Sequence, residues 1–554
     1  MSTRLHGLPA APGVATGAPW IYRPPDANGV ALRSIADAAE AAAAELERLA
    51  GRLRAEGRPD EAEILDAQAL MAIDEELLAA AREREAAGGV GPAEAVVAAA
   101  EDVASGFEAL DDPILSARAA DVRDVGARIA RHVSGTPPPQ LARRSIVVAN
   151  DLAPSVTVEL DRALLAGIAL EGGSRTSHAA ILARALGIPA VVCVPRIVDA
   201  SADVAELAID GDAGLAVLDP DDADRDRLAH AAAAAALRRA SDDAFRGRPM
   251  ATADGHRVQC MANVGDPSEA AAAFAAGADG IGLLRTEFAF AGRASAPGED
   301  EQAEAYAEVL RAAGDAPVVI RLADIGGDKP LPYVPILDEA NPFLGIRAIR
   351  LAETHPELFA TQVRAILRAS LAAGRPASIM APMVADAADV AAVRRLIDDA
   401  RSAVPDAPAP RVGIMVEIPS AVLLADQLGA IVDFMSIGTN DLTQYLLAAD
   451  RTNPRLAGRQ DPLHPAVLRA VAGIVAAGVA HDAEVAVCGE MAADPAGAAL
   501  LVGLGVQELS MDPTAFGGVK RALAEWSSPE LEAIARRALD CASAAEVREL
   551  VVTR

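Results

Sequence analysis

Short apolar runs alternate with helical stretches about eight times from Arg257 onward. Apolar runs that are each followed by a stretch of helical periodicity are typical of parallel strands covered by helices. Eight such repeats predict a parallel (β/α)8 barrel of the TIM type. We expect its strands at Val258–Asn263, Gly280–Leu284, Val318–Leu322, Ser378–Met383, Val412–Val416, Phe434–Ile437, Val485–Val487 and Glu508–Met511.

The first part of the chain has a different pattern, because a long helical segment interrupts strand-like runs. Helical periodicity extends from about residue 31 to 133, and it places Leu70, Ile73 and Leu77 at the spacing of a core-facing stripe. Pro137–Pro139 then closes the segment as a stiff linker. We therefore predict an all-helical domain that is inserted into a strand-containing one.

The remaining apolar runs predict a compact α/β domain that includes the N-terminal strand. These runs lie at Ser145–Ala149, Ala163–Leu170, Ala190–Val194 and Gly214–Leu218. A charged, alanine-rich stretch at 221–245 predicts a connecting helix. The predicted fold is multidomain α/β, with an α/β domain at 1–25 plus 141–220, a helical insert at 26–140, a linker helix at 221–250 and the barrel at 251–554.

Charge and composition exclude several classes of partner. The net charge of −29 argues against binding to nucleic acid or to an anionic membrane surface. No apolar run is long enough to span a bilayer, and no secretory signal is visible. Four cysteines lie far apart without metal-ligand spacing, which suits a reducing compartment. We expect a cytoplasmic protein without membrane insertion.

Reactive side chains lie at or just beyond the C-terminal ends of the predicted barrel strands. They are Arg285, Arg321, Glu417, Asn440, Asp441 and Cys488. Barrel enzymes assemble their active sites at this rim. We therefore expect these six side chains to converge, although they come from different strands.

Two of these residues predict a metal site, and a third is a candidate acid. Glu417 and Asp441 follow neighbouring strands, and a pair of carboxylates suits a hard divalent cation that keeps open positions for substrate oxygens. Cys488 is either a buried small apolar residue or a thiol that donates a proton in the site. The residues alone leave both interpretations open.

The arginines near the same rim predict an anionic substrate. Arg285 and Arg321 offer forked donors to a phosphate or carboxylate, and Arg347 and Arg451 are further candidates. Several arginines beside a metal imply a small ligand that carries more than one negative charge.

A second candidate site lies in the predicted α/β domain, where a histidine opens a helix. In the segment Gly173–Ile181, Thr176 or Ser177 is a suitable N-cap and His178 falls in the first helical turn. Free backbone N–H groups and the helix dipole stabilise an anion there and lower the pKa of the imidazole, so the ring stays neutral and nucleophilic. A first-turn histidine without a function fits the same short pattern.

Seven further blocks, in order along the chain, accompany the histidine segment. They are Gly7–Ala15, Gly280–Phe288, Asp324–Lys329, Asn341–Arg347, Gly413–Glu417, Ser436–Tyr445 and Val487–Met491. With these blocks the chain resembles, almost end to end, Enzyme I of the bacterial phosphoenolpyruvate-dependent sugar phosphotransferase system.

The resemblance implies an activity and assigns roles to residues. The family transfers the phosphoryl group of phosphoenolpyruvate to a histidine of its own, here His178, and then to a histidine of the carrier protein HPr. Pyruvate is released, and the transfer is the first step of sugar uptake. Cys488 would protonate the enolate, and Glu417 and Asp441 would bind Mg²⁺, or alternatively Mn²⁺. The implied phosphoenolpyruvate ligands are Arg285, Arg321, Asn440, Asp441 and Arg451, with Arg347 as a further candidate.

The resemblance also implies partners and a motion. Residues 30–140 contain 22 Asp and Glu against 11 Arg and no Lys, and this acidic insert would dock HPr. The barrels would pair as a homodimer. The linker helix would swing the histidine domain between the barrel rim and the docked carrier.

Two alternative functions follow from the same blocks. Pyruvate phosphate dikinase and phosphoenolpyruvate synthase share the histidine domain and the barrel, but they need a nucleotide-binding domain of several hundred residues ahead of the histidine. A regulatory or scaffolding paralogue without activity is the other alternative, because a fold does not guarantee a function. Against that second alternative, every residue with an assigned chemical role is present.

Overall fold

A computed structural model describes residues 2–23, 31–55, 59–109, 113–152, 154–173, 178–290, 293, 295–327, 331, 333–334, 339–451 and 453–552. The chain forms two compact units, residues 1–236 and residues 237–554. The division falls inside the helix Asp222–Arg246, in the stretch where the sequence predicts a connecting helix. The finer division into four domains stays a prediction.

The first unit contains a mixed eight-stranded sheet with the order β1-β8-β7-β3-β4-β5-β6-β2. Strands β3 to β6 run parallel, and the outer pairings are antiparallel. The strands are β1 Thr3–His6, β2 Leu8–Ala11, β3 Val14–Ile21, β4 Ser145–Ala149, β5 Leu165–Leu170, β6 Ala190–Val192, β7 Leu207–Asp210 and β8 Leu215–Leu218.

The middle of this sheet is buried on both faces, which explains its uninterrupted apolar runs. Val147 of β4 packs into one core cluster together with Leu182 of a helix at 178–186. Its neighbours Ile146 and Val148 belong to a second cluster on the opposite face, with Ile209 of β7. The sequence predicts neither β7 nor the division of the N-terminal segment into three strands.

Helices of the first unit are α1 Ile35–Ala55, α2 Pro59–Ala72, α3 Glu75–Ala87, α4 Pro92–Ala109, α5 Pro113–Ser134, α6 Pro154–Glu159, α7 His178–Leu186, α8 Ile197–Ala200 and α9 Asp222–Arg246. The helix α9 continues across the division into the second unit. Helices α1 to α5 form the predicted helical insert and share one apolar core.

The predicted core-facing stripe in the insert is wrong at two of its three positions. Leu70 is 70% exposed and Ile73 is 49% exposed, whereas Leu77 is buried. The cause is a break between α2 and α3, where the Asp74 side chain accepts hydrogen bonds from the backbone N–H groups of Glu76 and Leu77. This N-cap starts a new helix, so the periodicity does not continue across it.

The second unit is a closed parallel barrel, as the sequence predicts. Its strands are β9 Gln259–Val264, β10 Gly280–Leu284, β11 Val318–Arg321, β12 Ser378–Ala381, β13 Val412–Val416, β14 Phe434–Ile437, β15 Glu484–Val487 and β16 Glu508–Met511. The largest difference from prediction is at β12, which ends two residues early. Pro382 has no N–H to donate, and Met383 has a left-handed backbone with φ 58°.

Helices around the barrel are α10 Glu269–Ala275, α11 Glu299–Ala313, α12 Pro356–Ala373, α13 Ala387–Ala403, α14 Pro419–Leu423, α15 Ala425–Gly429, α16 Thr439–Leu447, α17 Pro465–His481, α18 Pro495–Gly503, α19 Phe516–Ala524, α20 Ser528–Leu539 and α21 Ala544–Val552. Short 3-10 turns at Glu287–Ala289 and Glu490–Ala492 lie just after β10 and β15. Within the described residues, no helix has the length and apolar character needed to cross a membrane.

Candidate active site at the barrel rim

The barrel brings most of the predicted rim residues to one end. Arg285 follows β10, Arg321 ends β11, Glu417 follows β13 and Cys488 follows β15. The helix α16, which follows β14, carries Asn440 and Asp441 in its first turn. In a closed parallel barrel the carboxyl ends of all strands meet at the same rim, so these side chains surround one site.

Arg347 lies at the centre of a buried ion network. Its Nε and Nη2 donate to the two carboxylate oxygens of Asp324, at 2.7 and 2.8 Å. Its Nη1 and Nη2 donate to the two oxygens of Asp441, at 3.1 and 3.2 Å. Burial by itself lowers the pKa of Arg347, but the adjacent carboxylates outweigh burial and raise it above its usual value. Arg347 therefore stays charged and joins the loop after β11 to the first turn of α16.

Arg321 is buried beside this network and is held by a different carboxylate. Its Nη2 donates to Oε1 of Glu287 at 2.8 Å, and its Nη1 lies 3.6 Å from Oδ2 of Asp324. Its buried Nε has no hydrogen-bond partner among the described residues. An unpaired N–H on a buried guanidinium is a candidate donor to an anionic substrate.

Glu417 is fully buried under the rim. Its Oε1 accepts a hydrogen bond from the backbone N–H of Met383 at 2.7 Å. Burial, together with the negative charges of Asp441 and Asp324, raises the pKa of the Glu417 carboxyl group. A Cβ atom at Gly438 would lie 2.8 Å from Oε2 of Glu417, so a larger residue there would displace this oxygen. The Glu417 carboxyl group therefore holds its proton more tightly than an exposed glutamate does.

The donor set suits a divalent cation. Oε2 of Glu417 makes no hydrogen bond within the described residues, and Oδ1 of Asp441 keeps a second lone pair beyond its bond to Arg347. No described group of three or more His, Cys, Asp or Glu residues could hold a metal alone. Mg²⁺ commonly binds through one or two carboxylates together with water and substrate oxygens, so two protein ligands are sufficient.

Cys488 lies inside the barrel, where its Sγ is 3.7 Å from the carbonyl oxygen of Ile437. It packs with apolar side chains of neighbouring strands, among them Met415 and Leu283. Burial raises the pKa of the thiol to about 11, and the nearby Arg321 and Arg285 only partly offset this effect. The thiol is therefore protonated at neutral pH, as a proton donor must be.

The other predicted ligands surround this centre. Arg285 is exposed, and its side chain has no partner among the described residues. Arg451 lies over the ring of Phe343 at 5.6 Å, and its Nη1 is 3.5 Å from Oδ2 of Asp441. Asn440 accepts a hydrogen bond from the backbone N–H of Glu490 at 2.9 Å.

Asp324 and Glu287 were not singled out from the sequence, although both lie in the quoted blocks. Asp324 comes shortly after β11, and Glu287 comes two residues after Arg285. A polar residue just past a barrel strand is the signal that could have identified them. Which arginine each of these two carboxylates pairs with depends on tertiary contacts, and the local sequence does not predict them.

His178 is the first residue of α7, as predicted, and α7 packs on the sheet of the first unit through Ala179 and Leu182. The predicted N-cap, Thr176 or Ser177, lies outside the described residues, and so does the His178 side chain. The segment Asp328–Lys329 is outside them as well.

Three family models match consecutive parts of the chain. The PEP-utilising enzyme N-terminal model matches residues 6–118, and the mobile-domain model matches 141–214, which includes His178. The PEP-binding-domain model matches 239–528, which includes every predicted rim residue. A phosphoenolpyruvate-protein phosphotransferase of Staphylococcus carnosus is 36% identical over 100% of this chain and 99% of its own length.

The chain belongs to the phosphoenolpyruvate-protein phosphotransferases.

Membership of this family confirms the resemblance found in the sequence blocks. A multiphosphoryl transfer protein of Rhodobacter capsulatus is 47% identical over 81% of this chain. The chain spans about half the length of that protein (54%) and of a similar one from Xanthomonas campestris (55%). An NMR structure of Enzyme I (nEIt) is 30% identical and covers 42% of this chain and 99% of its own, with a TM-score of 0.34.

Proposed function

We propose that this chain transfers the phosphoryl group of phosphoenolpyruvate to His178 and then to a histidine of the phosphocarrier HPr, with release of pyruvate. The proposal rests on the side chains at the barrel rim of this chain, which belongs to the family. There, the charges of Arg321 and Glu417 act on the buried, protonated thiol of Cys488, and Arg321 has an unpaired N–H. When an enolate leaves from a phosphoryl group, its carbon needs a proton donor, here the thiol, and the phosphoryl oxygens need positive charge, here the guanidinium.

His178 and Cys488 act on opposite sides of the P–O bond of phosphoenolpyruvate that breaks. A nitrogen lone pair of neutral His178 attacks phosphorus, and the P–O bond to the enolate breaks as the P–N bond forms. Cys488 gives its S–H proton to the methylene carbon of the enolate, which becomes the methyl group of pyruvate, and the thiolate then takes a proton from water.

The arginines stabilise the charge that spreads over the phosphoryl oxygens. We propose that Arg285, Arg321 and Arg451, with Asn440, bind phosphoenolpyruvate. Arg347 has a different role in this proposal, because its four hydrogen bonds to carboxylates leave at most one of its five N–H groups for substrate. It holds Asp441 in place.

A divalent cation fits the same proposal. The family uses phosphoenolpyruvate, and Glu417 and Asp441 would hold Mg²⁺ or Mn²⁺ at the rim. The ion would supply positive charge to the substrate oxygens when it is bound.

Two exposed apolar patches support the proposed partners. Leu70 and Ile73 lie on the surface of the acidic insert at the end of α2, so an apolar contact beside acidic side chains is available to a carrier such as HPr. Leu423 at the end of α14 and Val479 of α17 are 83% and 80% exposed on helices that pack together, which suits a homodimer through the barrel. A cytoplasmic location belongs to the same proposal, because all four cysteines are free.

The test is turnover with purified HPr. The protein, phosphoenolpyruvate, Mg²⁺ and HPr are mixed without nucleotide, and pyruvate release and phosphate on HPr are followed together. Equal amounts of both products support the proposal. A requirement for ATP would support a dikinase instead, and the absence of both products would support a non-enzymatic paralogue.

A further inference from the structure

Glu287 links the ends of two neighbouring barrel strands through a single oxygen atom. It begins the 3-10 turn after β10, and its side chain is mostly buried. Its Oε1 accepts hydrogen bonds from Nη2 of Arg321 and from the backbone N–H of Asp324, both at 2.8 Å. The same carboxylate therefore holds a guanidinium and the loop that follows β11.

Among the described residues, Glu287 makes the shortest contact to Arg321. The contact between Nη1 of Arg321 and Asp324 is 3.6 Å, and that between Nη1 and Sδ of Met415 is 3.7 Å, so both are weaker than the 2.8 Å bond to Glu287. Because Glu287 fixes the Nη2 edge of the guanidinium, the unpaired Nε is left for another acceptor. The orientation of Arg321 thus depends on Glu287.

The backbone around Arg321 has separate support. Thr286 donates its hydroxyl proton to the carbonyl oxygen of Arg321 at 3.0 Å. Gln362 of α12 donates to that hydroxyl oxygen at 3.0 Å and accepts from the N–H of Ala323 at 2.9 Å. Loss of the Glu287 carboxylate should therefore release the Arg321 side chain without unfolding the end of β11.

We propose that Glu287 is a positioning residue that presents Arg321 to the phosphoryl oxygens of the substrate. The inference rests on the proposed function, because it takes phosphoenolpyruvate as the anion that Arg321 binds. Misplacing a charged donor by about 1 Å can cost about a hundredfold in rate, and losing a supporting residue commonly costs about 10- to 100-fold.

The experiment compares Glu287→Ala and Glu287→Gln with a control, Glu299→Gln, in the full chain. Glu299 is also a partly buried carboxylate that pairs with two arginines, Arg364 and Arg368, but it lies on α11 among the outer helices. We expect Glu287→Ala to lower kcat/KM for phosphoenolpyruvate about 10- to 100-fold, mostly through kcat. Glu287→Gln keeps an acceptor oxygen and should lose less, and the control should match the parent.

Two further readouts separate positioning from a purely structural role. Exchange of phosphate between phospho-HPr and His178 needs no Arg321, so all variants should perform it at the parent rate. If Glu287 acts through Arg321, the double variant Glu287→Ala/Arg321→Met should be no slower than Arg321→Met alone.

Parent-like kcat/KM in Glu287→Ala, or losses that multiply fully in the double variant, would overturn the positioning role. If the parent itself formed no pyruvate from phosphoenolpyruvate, the proposed function would fail instead. These failures are distinguishable because the parent is measured first.

Discussion

Replacing Arg347 by methionine should destabilise the barrel unit strongly, because it removes the closest hydrogen-bond donors of two buried carboxylates. Asp324 is 1% exposed and Asp441 is 6% exposed, and each accepts two hydrogen bonds from this one side chain. Methionine keeps the apolar bulk but removes all four donors. Breaking a buried ion pair from one side costs about 3–5 kcal/mol of unfolding free energy, so the barrel midpoint should fall by on the order of 10 °C.

The assay uses the two tryptophans of the chain, one in each unit. In a Trp20→Phe background, Trp526 fluorescence reports unfolding of the second unit alone. Arg368→Met is the matched control, because Arg368 pairs with Glu299 but is well exposed and should change the midpoint little. The variant Arg347→Met should lose far more stability than the control.

A charge-compensated variant sharpens this test. Adding Asp324→Asn to Arg347→Met removes the negative charge of one of the two carboxylates. The double variant should therefore recover part of the lost unfolding free energy. Equal midpoints for Arg347→Met and Arg368→Met would refute the account of this network.

Four further predictions concern the chemistry. His178→Ala should abolish stable phosphorylation while leaving both thermal transitions unchanged, and phosphate transfer to HPr at the parent rate would show that another residue carries the phosphate. Glu417→Ala and Asp441→Ala should each lose magnesium-dependent turnover, and a magnesium titration unchanged from the parent would place the metal elsewhere. Cys488→Ala should lower net use of phosphoenolpyruvate by about 10²–10⁴-fold yet still exchange phosphate between His178 and HPr; undiminished pyruvate formation would remove the thiol from the mechanism. Because Cys488 is buried and burial raises its pKa to about 11, a thiol reagent at pH 8 should modify the partly exposed Cys541 before Cys488, and earlier labelling of Cys488 in mass spectra would contradict this.

The barrel could be predicted from the sequence because each of its strands is a separate apolar run bounded by helical stretches. The strand β10 and the strand β13 match their predicted bounds at both ends. Prediction was poorer where a single polar residue redirects the chain. Asp74 caps a new helix, and Leu70 and Ile73 before it are exposed. Their spacing from Leu77 would suit one continuous helix.

The candidate site was predictable only in part, for a related reason. Positions at strand ends follow from the strands themselves, so Arg321, Glu417 and Cys488 could be assigned to the rim without a structure. The ion pairs between these side chains could not be predicted from the sequence. The bonds of Arg347 to Asp324 and Asp441 join residues 23 and 94 positions apart, and only the closed barrel brings them together.

A single-turnover experiment without the carrier measures phosphoryl transfer from phosphoenolpyruvate to His178 most directly. The protein is mixed with phosphoenolpyruvate that carries labelled phosphate, together with Mg²⁺ and no nucleotide, and both the label on the chain and the released pyruvate are quantified. We expect acid-labile, base-stable label on His178, located by peptide mapping, in equal amount to the pyruvate released. Label on another residue, or pyruvate released without label on the chain, would contradict it.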